Sequence, residues 1–355
     1  MILRPLAMDL GAPTHTPPAA VGTAALQYTP AAGITELRSA FGRRILQRCR
    51  LEPDAAPELA VTITNGASTA FTCVIVALTA PGDRVLIPDP GFPAYASTLR
   101  ALGRTPEHYA LAGLSEDASE LTTRLPGARL VVLNSPSNPT GQILRGPALR
   151  RIAAAEQHDV LLVSDDVYAD LAADQDVSAA ALAPGRTLTL DSVSKSFALA
   201  GARVGCVAGP AALVNRVTQT HWTLGMGVAL PTQQLALTAL TTAGPDYLAG
   251  VRARLDHQRA LCTRTLAAHG VPAPEAEAGL FVWVDVSDIG SGHQVADLLR
   301  KGTRVSVTPG EPFGPSGAGH LRISCAGDTD DVTEGAERIG RALSLIRLRA
   351  SGSMR

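Results

Sequence analysis

The chain has 355 residues, 46% of them hydrophobic and 18% charged, the balance of a globular protein large enough for roughly two domains. Its 31 Lys+Arg against 32 Asp+Glu give a formal net charge of -1, so there is no basic field for a phosphate backbone and no electrostatic case for a nucleic-acid partner. No run approaches the roughly 20 apolar residues of a membrane-spanning helix, and the opening MILRPLAMDLGAPTHTPP lacks the apolar core of a signal peptide, so a cytoplasmic location is expected.

In chain order, the segment through Gln27 is rich in Pro, Ala and Gly, offers few core positions and reads as an arm lying on another surface. From there to Pro231, short apolar β-branched runs alternate with amphipathic stretches, the pattern of a mostly parallel sheet covered by helices. Strands are expected at Val61–Thr64, Val85–Pro88, Leu130–Asn134, Val160–Ser164, Thr187–Asp191 and Val204–Ala208, and helices at Ala67–Thr79 and Ala148–His158. Most of these strands end in polar residues, Gly or Pro. In open α/β sheets ligands gather outside the carboxyl ends of the strands, so chemistry is expected there.

After Pro231 the pattern changes to long helices at Thr232–Thr242 and Asp246–His269, followed by Phe281–Asp285, Gln294–Lys301, Val305–Thr308, Leu321–Ser324 and Asp330–Arg349. That succession reads as a smaller α+β domain. The expected division is an N-terminal arm and small-domain start at 1–39, a large α/β domain at 40–245 and a small C-terminal domain at 246–355, with a disordered tail at Ala350–Arg355.

The cysteines Cys49, Cys73, Cys206, Cys262 and Cys325 are scattered, with no close pair of the kind that clasps zinc, and are expected to be reduced and mostly buried. Lysine is the informative residue: Lys195 and Lys301 are the only two, and arginine supplies the remaining positive charge. Lys195 follows an apolar strand in Asp191-Ser-Val-Ser-Lys195-Ser-Phe-Ala-Leu-Ala-Gly-Ala-Arg203-Val-Gly205. An amine flanked by hydroxyls, with an arginine one loop away, suits an aldehyde cofactor held as a Schiff base with its phosphate bound nearby. A lysine kept in a chain that otherwise uses arginine points to an amine that must lose its proton, which arginine cannot do.

Two further segments stand at strand ends. In Asn134-Ser-Pro-Ser-Asn138-Pro-Thr-Gly141 the prolines and glycine fix a tight turn and aim the Asn138 amide, which can donate to a phenolate-type oxygen and to a carboxylate. In Ser164-Asp165-Asp166-Val167-Tyr168 an aspartate held against a heterocyclic nitrogen would keep that nitrogen protonated and make the ring an electron sink. The paired carboxylates could instead hold magnesium; no neighbouring His or Cys supports a transition metal.

Together, Ser135-Pro-Ser-Asn-Pro-Thr-Gly141, Asp165-Asp-Val-Tyr168 and Ser192-Val-Ser-Lys-Ser-Phe-Ala-Leu-Ala-Gly-Ala-Arg-Val-Gly205 resemble, in order, the signatures of class I/II aminotransferases, pyridoxal phosphate (PLP) enzymes of fold type I. The resemblance extends through Tyr28-Thr-Pro-Ala-Ala-Gly33 with Leu37-Arg38, Thr64-Asn-Gly-Ala-Ser68, Pro90-Gly-Phe-Pro-Ala-Tyr95 and Leu321-Arg-Ile-Ser324, nearly the whole chain. It implies the PLP-dependent transferase fold type I, with the large domain binding PLP and moving an amino group from an L-amino acid to a 2-oxo acid.

By the same resemblance, Lys195 is the Schiff-base lysine and proton carrier, and Asp165 pairs with the pyridine nitrogen. Asn138 and Tyr168 hold the ring phenolate, and Phe92 stacks on the ring where many relatives carry Tyr or Trp. Free N–H groups of Ala67 and Ser68 after Gly66, with Ser192, Ser194 and Arg203, would hold the phosphate, as helix starts favour anions. Tyr28 resembles a tyrosine given to the neighbouring subunit, which implies a homodimer with shared sites. Gly11 and the following Ala-Pro-Thr-His15 resemble the arm that closes over substrate, and Arg322 matches the arginine that grips the α-carboxylate bidentately.

Relatives commonly carry Asp-Glu where this chain has Asp165-Asp166, and the spacing to Tyr168 selects Asp165. His221-Trp222, following a helical segment and preceding Gly225-Met-Gly227, are candidates for the pocket wall, whereas Trp283 reads as core of the small domain. The same electron sink would also serve β-elimination, decarboxylation or oxidation, since fold does not fix the reaction. A PLP- or amino-acid-sensing module is the reading from outside catalysis, and it would not need the complete substrate-carboxylate set.

Overall fold

The computed structural model describes residues 6–7, 28–50, 59–154, 159–173 and 179–350. A short strand, β1 (Leu6–Ala7), is followed by α1 (Thr35–Cys49). The large sheet then forms from β2 (Leu59–Thr64), β3 (Arg84–Asp89), β4 (Thr105–Ala110), β5 (Leu130–Asn134), β6 (Leu161–Asp165), β7 (Thr187–Ser192) and β8 (Gly205–Pro210). These lie in the order β2-β8-β7-β6-β5-β3-β4. Only β8 runs against its neighbours, β2 and β7; the other pairs are parallel. The interleaved helices are α2 (Ala67–Leu78), α3 (Pro93–Ala101), α4 (Ser119–Arg124), α5 (Gly146–Ala154), α6 (Ala179–Leu182) and α7 (Ala211–Gly225).

Alternate residues of each strand point to opposite faces, and both faces are covered, which is why the central strands read as continuous apolar runs. Val85, Ile87, Leu130 and Val132 pack with Phe71 and Val74 of α2, Leu99 of α3 and Val217 of α7. Leu86, Val131 and Leu133 face the other way, onto Leu121 of α4 and Ile152 of α5. Toward the β2–β8 edge, α1 and α8 (Leu230–Thr242) cover Val61, Ile63 and Cys206.

The remaining elements are α9 (Pro245–Ala268), β9 (Phe281–Asp285), α10 (Gly292–Thr303), β10 (Val305–Ser306), β11 (Thr308–Pro309), β12 (His320–Ser324) and α11 (Thr329–Ala350). An antiparallel sheet β11-β12-β9 packs its Val282, Val284, Leu321 and Ile323 on Leu266 of α9, Leu299 of α10 and Ile339 of α11. A separate apolar cluster joins Val167, Tyr168 and Leu171, just beyond β6, to Leu255 of α9 and to Phe281. It seats the smaller sheet beside the carboxyl ends of the larger one.

The expected strand Val305–Thr308 is in fact two, because the chain changes partner: β10 pairs with β1 in parallel while β11 pairs with β12. The helix expected at Ala148–His158 begins at Gly146, and its last residues lie outside those described. Elements β1, α1, α3, β4, α4, α6 and α7 were not among those expected. Helix α1 carried a legible signal, since its buried Leu37, Ala40, Phe41, Ile45 and Cys49 recur at helical spacing. Edge strand β4 carried almost none, with Tyr109 alone of its residues buried. All five cysteines are buried and outside any disulfide, in line with the expectation of reduced, mostly buried thiols. No helix among the described residues is long and apolar enough to cross a membrane.

Candidate active site

Parallel pairing sets Asn134 of β5 opposite Asp165 of β6, with Leu190 of β7 on the other side, so Asn134 and Asp165 end neighbouring strands side by side and Ser192 ends the next strand two residues further on. They open into a cavity of about 210 Å³. Of the expected residues, Ala67, Ser68, Phe92, Asn138, Asp165, Tyr168, Ser192, Ser194, Lys195, Arg203 and Arg322 all line it.

Burial foremost, then the charges of Arg322 and Arg203, draw the Lys195 ammonium down to about 8, against the opposing pull of Asp165. Its Nζ stands 5.9 Å from the centroid of the Tyr168 ring. Both Ala198 and Arg203 adopt the left-handed conformation that side chains with a Cβ rarely take, so the loop after Lys195 holds local strain next to the cavity. Burial also pushes Asp165 up to about 6, although Tyr95 Oη donates to its Oδ2 at 2.5 Å and the Val167 N–H to its Oδ1 at 3.4 Å, both of which favour the carboxylate. Asp166 does not line the cavity: it is buried, accepts from Ser164 Oγ at 2.6 Å, and is raised by burial to about 7.

The turn after β5 is tied to its neighbours by one side chain. Asn134 Oδ1 accepts from the Asn138 N–H at 2.8 Å, and Asn134 Nδ2 donates to the Asp165 carbonyl at 3.0 Å. Asn138 Oδ1 in turn accepts from Arg322 Nη1 at 2.9 Å, so the amide oxygen faces the arginine and the amide nitrogen is the group left to donate. Arg322 lies in β12 between Thr308 and Trp283 on the paired strands, and its guanidinium sits 4.1 Å from the Phe281 ring and 5.0 Å from Phe313. Aromatic faces on a guanidinium fix its plane while the charge stays available to an anion.

At the start of α2, Gly66 has φ +82°, and a Cβ there would stand 2.6 Å from Arg203 Nη2. The positive φ is what favours glycine here, and the end of the Arg203 side chain lies over the turn. Ala67 and Ser68 at the start of α2, with Ser192 and Ser194, line the same part of the site, where free helix-start N–H groups and hydroxyls can donate to an anion.

Other expected residues lie elsewhere. Tyr28 is 78% exposed, with its ring 6.3 Å from Trp222 and outside the cavity lining. Gly11 lies outside the described residues. His221 and Trp222 sit within α7 and do not line the cavity; His221 is buried with Nε2 3.3 Å from Asn65 Nδ2. Trp283 is buried and stacked on His320, with centroids 5.0 Å apart. The roles of Tyr95 and Asn134 went unread from sequence. Tyr95 stands in the segment Pro90–Tyr95 carried by the resemblance, and its place on α3 facing β6 is a tertiary fact.

The sequence matches the family described as "Aminotransferase class I and II" over residues 12–339. Among curated proteins it is 33% identical to an arginine–pyruvate transaminase of Pseudomonas aeruginosa over 354 residues, covering 94% of this chain and 88% of that one. A putative aminotransferase of Bacillus subtilis is 31% identical, with 89% and 83% covered. Among solved structures, the aromatic aminotransferase of Pyrococcus horikoshii superposes with a TM-score of 0.87 at 26% identity, covering 99% of this chain and 97% of that one. The aspartate aminotransferase of Thermus thermophilus gives a TM-score of 0.86 at 26% identity, with 96% and 92% covered.

Proposed function

The chain belongs to the class I and II aminotransferase family, with the fold type I architecture and PLP dependence of that family, and from this premise we propose a role for each group around the cavity. It is a PLP-dependent aminotransferase, acting on an amino acid and a 2-oxo acid. The residues present fit the cofactor: a helix start after Gly66 with Arg203 over it, a buried carboxylate at Asp165, and a lysine whose amine is drawn toward neutrality. Bound PLP supplies an aldehyde for the amino group and a ring that withdraws electrons from the α-carbon.

In this reading Lys195 would hold the cofactor through its amine and, when its amine is free, would move the proton at the substrate α-carbon. The low proton affinity of its amine suits both tasks near neutral pH. Asp165 holds a proton at the ring nitrogen, with Tyr95 fixing the carboxylate. Asn138 and Tyr168 serve the phenolate side of the ring, Phe92 its face, and Ala67, Ser68, Ser192, Ser194 and Arg203 its phosphate. Arg322 receives the α-carboxylate as a bidentate fork, so the substrates are α-amino acids.

The division at 1–39, 40–245 and 246–355 belongs to the same proposal, as do a cytoplasmic location and a homodimer in which exposed Tyr28 serves the neighbouring site. In light scattering the protein is expected to run as a dimer and to lose PLP when diluted to monomer; a fully active monomer would remove that part.

The observation that carries the assignment is the meeting of Lys195, Asp165, Arg203 and Arg322 in one cavity. It is tested by mixing PLP-loaded enzyme with a panel of amino acids in stopped flow. The cofactor absorbance should change with an amino acid and return with a 2-oxo acid. Simple amines giving the same change at lower concentration would overturn the α-carboxylate role of Arg322.

A further inference from the structure

Behind the cavity lies a group of charges that these roles do not use. Arg44 and Arg48 stand one turn apart on α1 and meet Asp191, the fully buried penultimate residue of β7, and Asp170, just beyond β6. Arg48 Nη2 is 2.8 Å from Asp191 Oδ2 and its Nη1 3.3 Å from Asp170 Oδ1. Arg44 pairs with Asp170, and its Nε is 3.8 Å from Asp191 Oδ2. The other oxygen of Asp191 accepts from the Ser192 N–H at 2.7 Å.

On the far side of Lys195, Phe197 is held between the same helix and α9: the Arg44 guanidinium lies 4.7 Å from its ring centroid, and Tyr247 stacks on it at 6.0 Å. The segment bearing Lys195 is therefore gripped at Asp191 before it and at Phe197 after it, by two arginines of one helix.

We propose that Arg44 and Arg48 are positioning residues that, through Asp191 and Phe197, set the Lys195 segment against the cavity. The inference rests on Lys195 being the cofactor-bearing lysine. Nothing in the chemistry of the cavity requires a buried ionic cluster here, and well-packed apolar residues often stabilise as well as a buried ion pair. What the cluster adds is direction, because a guanidinium fork can hold two carboxylates from different segments at once, which an ammonium does poorly. It also has an electrostatic consequence. Burial is the main force raising Asp165, and the negative charge of Asp191 adds to it. Paired arginines offset that charge, so losing one would disturb the ring-nitrogen carboxylate as well as the lysine.

The test compares PLP-loaded wild type, Arg48→Met, Asp191→Asn and the double variant. Three quantities are read: the pH midpoint of the bound-cofactor absorbance, kcat against KM, and the thermal midpoint. Arg48→Met leaves a buried carboxylate without its main partner and can fail to fold; the double variant leaves none of that pair charged and is then read instead.

We expect the absorbance midpoint to move by about half a pH unit or more and kcat to fall about tenfold to a hundredfold, with KM within about twofold, as for a misplaced reacting group. The loss in the double variant should be close to the larger single loss, since the pair acts as one unit. Variants with a lowered thermal midpoint but unchanged absorbance and kcat would make the cluster structural only and overturn the inference alone. Cofactor attached to Lys301 in the wild type would overturn the Lys195 reading and this inference with it.

Discussion

The seven-stranded and three-stranded sheets feed the same cavity in different ways. The larger one delivers its groups at or just beyond strand ends, with Asn134 and Asp165 side by side and Ser192 two residues further along the next strand because parallel pairing brings the carboxyl ends together. The smaller one delivers a single cation, Arg322, from inside a strand whose neighbours Leu321 and Ile323 are wholly buried. Chemistry at a strand end tolerates the polar run that announces it, whereas chemistry inside a core strand must be aimed by cross-strand partners, here Thr308 and Trp283 with Phe281 and Phe313 on the guanidinium. The larger sheet is thus assigned the making and breaking of bonds, and the smaller one the holding of substrate.

Variants should separate these two contributions. The largest effect is expected for Lys195→Ala, which removes both the cofactor amine and the proton carrier and should lower kcat by roughly 10²–10⁴-fold or more, with the substrate still bound. Next comes Asp165→Asn, whose amide cannot keep a proton on the ring nitrogen; kcat should fall about a hundredfold, and Asp166→Asn, outside the cavity lining, by less than about tenfold. Equal losses would mean that the two aspartates share the task and that the register drawn for β6 is wrong.

On the other side of the comparison, Arg322→Lys keeps the charge and loses the fork. It should cost about 1.5–3 kcal/mol in kcat/KM, seen mainly as a raised KM for α-amino acids, with simple amines little affected. A fall in kcat at constant KM would move Arg322 to the chemical side and blur the division between the sheets.

The smallest expected signal is a pH effect on the cofactor-free protein. Burial and the two arginines favour the neutral amine of Lys195, so more of it is reactive at a given pH than of an ordinary lysine. Its acylation rate should rise with pH to a midpoint of about 8, and a midpoint near the usual lysine value of about 10.4 would show that the environment does not reach the amine.

Much of the larger sheet was legible because each motif is local. The turn Asn134–Gly141, the pair Asp165-Asp166 and the segment Asp191–Gly205 each follow an apolar strand within a few residues, and eight of the expected cavity-lining residues descend from them and from the start of α2. Arg322 was reached only through the resemblance, since one arginine among apolar neighbours has no local signature. Tyr95 and Asn134 illustrate the rest. Tyr95 meets Asp165 across 70 positions of sequence, and Asn134 bridges to the Asp165 carbonyl across 31, so neither contact exists before strand order does. The ion cluster of Arg44 and Arg48 was equally hidden, because arginines spaced one helical turn apart ordinarily mark a solvated face.

The central claim is that Lys195, the half-buried one of the two lysines, carries the cofactor. Borohydride reduction of the PLP-loaded enzyme, followed by proteolysis and mass mapping, reads this directly. The label is predicted on the peptide containing Lys195; a label on Lys301, which is 67% exposed and paired with Asp297 on α10, would contradict the account.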